Sequence, residues 1–232
     1  MPATVTDPAD VAEVAAAAAP HLESWLELQR RRGRVPGVQA AVRVGDRVVL
    51  STALGTADAT TGEPLTTGHL FRIASHSKTF TAVAVLQLVE AGRMRLDDPI
   101  ATWVPEVPAE LAAVTVRELL GHQGGVVRDG RDNDHWQLLH PFPDTEQLLA
   151  LAGDGGAVFG RNEHFKYSNI GYSLLGLAIE AVTGTTYGEH VRAAVLDPLG
   201  LTDTGPELDP ARAADYAAGH TCLLYTSDAA DE

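Results

Sequence analysis

Only two stretches of this chain read clearly as β-strand. Val38 to Val44 and Arg47 to Leu54 are β-prone runs joined by Gly45-Asp46, a two-residue hairpin signal with glycine in the first central position. Most of the chain beyond Leu54 reads as helix, turn or loop. That imbalance is the strongest constraint on the fold, because two strands cannot make a stable sheet alone. Upstream, residues 8–33 have a helical pattern with a break expected at Pro20. Downstream, Thr79 to Gly92 carries Phe80, Val83, Val85, Leu86, Leu88 and Val89, apolar nearly all round, and reads as a buried helix. A short helix is expected over Val116 to Leu120, and loop over Gly121 to Asp134. Further helices are expected over Asp144 to Leu151, Asn169 to Val182 and Tyr187 to Leu196.

Composition narrows the classes of partner. At 232 residues and 45% hydrophobic, the chain can bury a substantial core as one large domain or two lobes. Its formal net charge of -14 disfavours nucleic acid and anionic membrane surfaces, which need clustered positive charge. The only basic run, Arg30, Arg31, Arg32 and Arg34, suits a helix C-terminus better than a binding patch. No segment has the length of a transmembrane span, and the alanine-rich stretch Val11 to Ala19 lacks the basic residues that precede a signal core, so a cytoplasmic location is expected. The single cysteine, Cys222, excludes internal disulfides and thiolate zinc sites, and the nine histidines lack metal-ligand spacing, so neither metal nor cofactor is expected. The acidic run Asp129 to Asp134 lacks the spacing and the distal glutamate of a calcium loop. Oligomeric state is left open.

Two lysines stand against fifteen arginines, and one closes the run Ser75-His76-Ser77-Lys78. Arginine cannot lose its proton in a protein, whereas a desolvated lysine can become a neutral base. In a helix Ser75 and Lys78 share a face, the S-x-x-K arrangement of serine acyl-transfer enzymes. Ser75 is expected at the N-terminus of the apolar helix, where free N–H groups and the dipole favour an oxyanion. A plain N-cap role would explain the serine but not the lysine. A second group is Tyr167-Ser168-Asn169, before a helix beginning near Ile170. Two apart in an extended segment, the phenol and the amide point the same way and could share a pocket. The alternative has Asn169 as the helix N-cap and Tyr167 as a packing aromatic.

Together these residues resemble the serine β-lactamase-related family, of the class C type that includes class C β-lactamases, D-alanyl-D-alanine carboxypeptidases, D-aminopeptidases and esterases. The resemblance runs from about Pro36 to Thr221 and takes in Phe71 to Ser75, Lys78 to Ala82, Leu96-Asp97-Asp98-Pro99-Ile100, Val116 to Leu120, Tyr167 to Tyr172, Val182-Thr183-Gly184 and Pro198 to Leu201. Where the family has His-Thr-Ser-Gly, this chain has His122-Gln123-Gly124-Gly125. The resemblance implies an α+β, β-lactamase/transpeptidase-like fold, an antiparallel sheet flanked by helices plus a mainly helical lobe. It implies Ser75 as nucleophile, Lys78 as its proton acceptor or as the cation that keeps Tyr167 acidic, and Tyr167 as general base and then proton donor. Asn169 would contact the acyl substituent, His122 would support the site wall, and Lys166 would lie at the surface. The substrate implied is a small ester, amide or peptide, with a β-lactam- or peptide-binding sensor, or a non-catalytic fragment, as the alternative.

One expected motif, H-x-G or K-T-G on a strand beside the nucleophile, has no match after Asn169, and Gly219-His220-Thr221-Cys222 is only a near miss. Residues 222–232 read as translated adaptor sequence. The expectation is therefore an incomplete domain over 1–221, its C-terminal strands missing, with an N-terminal helix and hairpin part over 1–74, a mainly helical part over 75–221 and a non-native tail. Such a chain should fold poorly and hydrolyse little.

Overall fold

The structure, a computed structural model, describes residues 8–130, 135 and 141–219. The tail 222–232, His220 and Thr221 of the near-miss motif, and residues 131–134 of the acidic run lie outside the described residues. Two compact units form, one from the chain up to Arg72 and again from Asp209, the other from Ile73–Leu208.

In the first unit, α1 (Pro8–Arg32) packs against β1 (Gly37–Val44) and β2 (Arg47–Asp58). The expected break at Pro20 does not occur: the proline lies inside one continuous helix. Proline forfeits a single N–H bond. Runs of alanine, the best helix former, carry the helix up to it. Beyond it, Ser24 Oγ donates to the Pro20 carbonyl at 2.9 Å. The arginine run ends the helix as expected. Arg30 holds Glu27 through Nε at 2.7 Å and Nη2 at 2.9 Å, and its Nη1 reaches the carbonyls of Val35 and Pro36, 3.2 Å each. Hydrogen bonds from Arg30 and Arg31 hold the Glu27 carboxyl at about 2.

The hairpin forms with Val44 opposite Arg47 and Gly45 at φ 57°, and the register slips once between Val42 and Arg43. β2 runs past Leu54 to Asp58 and pairs with a third strand, β3 (Glu63–Pro64), giving the antiparallel order β1-β2-β3. Gly55, at φ 86°, permits the close crossing, since a Cβ there would lie within 2.1 Å of the Pro36 carbonyl. The chain after Asp209 returns to this unit through a parallel bridge of Tyr216 to Leu70 and a bond from Ala218 N to Ala57 O at 2.8 Å.

The second unit holds the main core. α5 (Asn169–Thr183) is its axis, packed by α2 (Ser77–Glu90), α3 (Val116–Leu120), α4 (Thr145–Gly155) and α6 (Tyr187–Val191). Leu174, Leu175, Ala178 and Ile179 of α5 are wholly buried with Ala84 and Val85 of α2. Helix starts are chemically fixed: Thr115 with Glu118, Asp144 with Gln147 and Thr186 with Glu189 form reciprocal capping boxes. α2 is not buried all round as its composition suggests. Thr81, Ala84, Val85 and Leu88 form one helical face toward the core, whereas Val83 and Leu86, on the other side, are 38% and 49% exposed.

Candidate active site

Ser75 lies in a single turn of 3-10 helix, Ala74–His76, that leads into α2 at Ser77. It sits just before the α-helix and does not cap it, since the α2 N-cap is His76 with no side-chain bond. Ala74 has the left-handed φ of 44°, which turns the chain sharply just ahead of Ser75. Lys78 falls in the first turn of α2, its Nζ 3.4 Å from Ser75 Oγ.

Tyr167 and Asn169 converge on the same point from the start of α5. Ser168 between them is extended, φ -139° and ψ 122°, and its Oγ accepts from Gly171 N at 2.8 Å. Ser168, not Asn169, is therefore the cap, which leaves the tyrosine and the amide free to face one way. Tyr167 OH is 2.6 Å from Ser75 Oγ, and Asn169 Oδ1 accepts from Lys78 Nζ at 2.5 Å. All four residues picked out in the sequence thus meet in the Ile73–Leu208 unit.

The electrostatics favour ionisation of the Tyr167 phenol. Burial works against ionising Tyr167. The Lys78 ammonium, 4.8 Å from the ring centroid, the Ser75 hydroxyl and the Arg128 guanidinium, 5.9 Å from the ring, outweigh it and hold the phenol below its ordinary 10.0. The neighbouring Tyr172 moves the other way, raised by burial and by Tyr167, and donates to the Leu120 carbonyl at 3.0 Å.

His122 forms the wall behind Tyr167, with ring centroids 4.6 Å apart, and its backbone is left-handed at φ 56°. Its Nδ1 accepts from Ser168 N–H at 3.2 Å, so the neutral ring carries its proton on Nε2. Burial and then the Lys78 charge keep the imidazole below its usual 6.5. Lys166 enters only through its backbone, N–H to His122 carbonyl at 2.8 Å.

Two residues escaped sequence reasoning. Asp129, almost fully buried, accepts from Asn169 Nδ2 at 2.5 Å and forms an ion pair with Arg128, whose Nε lies 3.0 Å from Oδ2. The segment carrying them is stitched to α5: Asn169 N and Ile170 N donate to the Arg128 carbonyl at 2.9 and 3.1 Å, and Ser168 Oγ to that of Val127 at 2.7 Å. No spacing rule ties Asp129 to a residue 40 positions later. Among the described residues no group of three or more His, Cys, Asp or Glu side chains could hold a metal ion, and no helix is long and apolar enough to cross a membrane.

Comparison with known proteins places the chain among relatives of several kinds. The chain is 31% identical over 212 residues to penicillin-binding protein 4* of Bacillus subtilis strain 168, which covers 89% of this chain and 46% of that protein. It is 32% identical over 220 residues to esterase EstB of Burkholderia gladioli, covering 88% of this chain and 56% of the esterase. Among solved structures, the D-amino acid amidase of Ochrobactrum anthropi SV3 superposes with a TM-score of 0.73 at 32% identity over 84% of this chain and 53% of the amidase. A class C β-lactamase from Rhodobacter sphaeroides superposes with a TM-score of 0.70 at 25% identity, over 89% of this chain and 54% of its own. The chain thus spans about half the length of the relatives it matches. The fold is β-lactamase/transpeptidase-like. The β-lactamase family profile matches residues 14–227, and the chain belongs to the β-lactamase family.

Proposed function

We propose that this chain carries the nucleophile half of a serine acyl hydrolase that works through a covalent ester on Ser75, with a small ester, amide or peptide as substrate. The observation that carries the reading is the contact of Ser75 Oγ with Tyr167 OH at 2.6 Å and with Lys78 Nζ at 3.4 Å. As the phenolate, favoured by its lowered pKa, Tyr167 accepts the Ser75 proton as Oγ adds to the substrate carbonyl. The tetrahedral oxyanion is received by the Ser75 backbone N–H at the turn before α2. As the tetrahedral species collapses, the bond to the leaving alcohol or amine breaks and Tyr167 returns the proton to it. Water then cleaves the acyl ester with Tyr167 again as base. Lys78 keeps the phenol acidic and is itself held by Asn169. No step uses a metal or a cofactor.

The esterase and amidase names among the relatives support a hydrolase. The penicillin-binding name favours a second reading, a sensor that keeps its acyl group. One experiment separates them. The full-length gene product is treated with an activated ester or a β-lactam, and its intact mass is followed. A transient adduct with product release indicates a hydrolase and a persistent one a sensor. An adduct that survives Ser75→Ala would overturn both.

A further inference from the structure

We infer that Asp129 is a positioning residue that dictates which end of the Asn169 amide faces Lys78. The inference rests on the function proposed above. An asparagine amide has nearly the same shape whichever way it is turned, so its orientation is decided by its partners. Lysine only donates, and at 2.5 Å from Lys78 Nζ only the oxygen of Asn169 is tolerable. At the far end Nδ2 meets Asp129 Oδ1, also at 2.5 Å. A carboxylate oxygen accepts and a flipped amide would turn its own oxygen toward it. The flipped state therefore fails twice, donor against donor at Lys78 and acceptor against acceptor at Asp129.

Asp129 is itself held. Its side chain is only 6% exposed, and its second oxygen pairs with Arg128 Nε at 3.0 Å. Because the Arg128 carbonyl receives the first two N–H groups of α5, the carboxylate and the amide are anchored by the same backbone crossing. The result is a line of fixed polarity, Arg128 to Asp129, Asn169 to Asp129, Lys78 to Asn169, that ends where Lys78 approaches Ser75 and Tyr167. Asp129 thereby acts on the nucleophile without touching it. The amide keeps one N–H for a substrate group, but its oxygen is committed to Lys78.

The test reverses the polarity. In the full-length gene product, the rate of Ser75 labelling by a fluorophosphonate, read by intact mass, is compared for wild type, D129A, D129N, N169D and D129N/N169D, with S75A as the blank. D129A should label about ten- to a hundredfold more slowly, the cost of leaving one half-buried amide unpaired and free to turn. N169D alone sets two carboxylates face to face and should be similarly slow. The double variant restores an oxygen toward Lys78 and a donor–acceptor pair behind it, and should recover most of that loss. A merely structural role predicts no such rescue. If D129A does not fold, as judged by its melting transition, the comparison of N169D with D129N/N169D decides alone. A double variant no faster than N169D, or a folded D129A labelling at the wild-type rate, overturns the inference and leaves the proposed function standing. Absence of any Ser75 adduct in wild type would overturn both.

Discussion

Ala74, with its left-handed backbone immediately before Ser75, is the residue on which the placement of Ser75 turns. An L-residue there carries strain of about 1 kcal/mol that glycine does not. Ala74→Gly should therefore change denaturant stability by less than about 1 kcal/mol, its gain offset by the freer unfolded chain. Ala74→Val adds a branched Cβ to that strain, so it should both destabilise and slow Ser75 labelling. His122 makes a prediction with a sign. Its folded pKa lies below 6.5 because burial and Lys78 disfavour the charged ring, so the unfolded chain binds the extra proton first. Stability attributable to this residue is present above pH 6.5 and falls as the pH drops toward the lower folded value. Melting temperatures from pH 7.5 to 5 should show this decline in wild type and a shallower one in His122→Gln. Equal slopes would remove the histidine from the account. Tyr167→Phe should lower the acylation rate by about 10²- to 10⁴-fold, and in wild type that rate should rise with pH along a limb lying below the usual 10.0 of tyrosine. Ser75 and Lys78 were legible in the sequence because three residues of helix bring them together, and Tyr167 and Asn169 because extended backbone does. Asp129 and the stacking of His122 were not, since only closure of the tertiary fold sets residues 122 and 129 beside 167 and 169.

At the scale of elements, Ser168 joins the start of α5 to the chain before it. Its Oγ accepts from Gly171 N and donates to the Val127 carbonyl, and the residue is 3% exposed. Ser168→Ala should cost about 1 to 2 kcal/mol in chemical denaturation, and because Tyr167 and Asn169 flank it, should slow acylation as well. A stability loss with unchanged labelling would mean that the cap and the site are independent. In α1, Pro20→Ala restores a backbone bond and should raise stability by about 1 kcal/mol or more. The extents of α3 and α5 were readable from their apolar spacing, whereas their caps, Thr115 and Ser168, were not. The continuity of α1 was not, because propensity weighs proline as a local breaker and takes no account of the sheet the helix lies on. β3 was hidden for a different reason: two residues, one of them proline, carry no strand periodicity.

For the whole molecule the dominant long-range term is charge. With 31 acidic side chains against 17 basic ones, the folded chain repels itself at neutral pH. Raising sodium chloride from low millimolar to about 0.15 M shortens the Debye length to about 8 Å and should raise the melting temperature. A fall would mean that ion pairs such as Arg117–Asp97, at 2.9 Å, matter more than net charge. The return of residues 209–219 to the sheet unit has a further consequence, for the order of events during synthesis. Ser75, Lys78, His122, Asp129, Tyr167 and Asn169 all belong to one uninterrupted stretch, Ile73–Leu208, whereas the unit that precedes it stays open until Tyr216 can reach Leu70. Closing so long a loop costs about 4 kcal/mol of chain entropy. A chain emerging N-terminus first can bring Ser75, Lys78 and Tyr167 together while its first strands still wait for residues 209–219 to leave the ribosome.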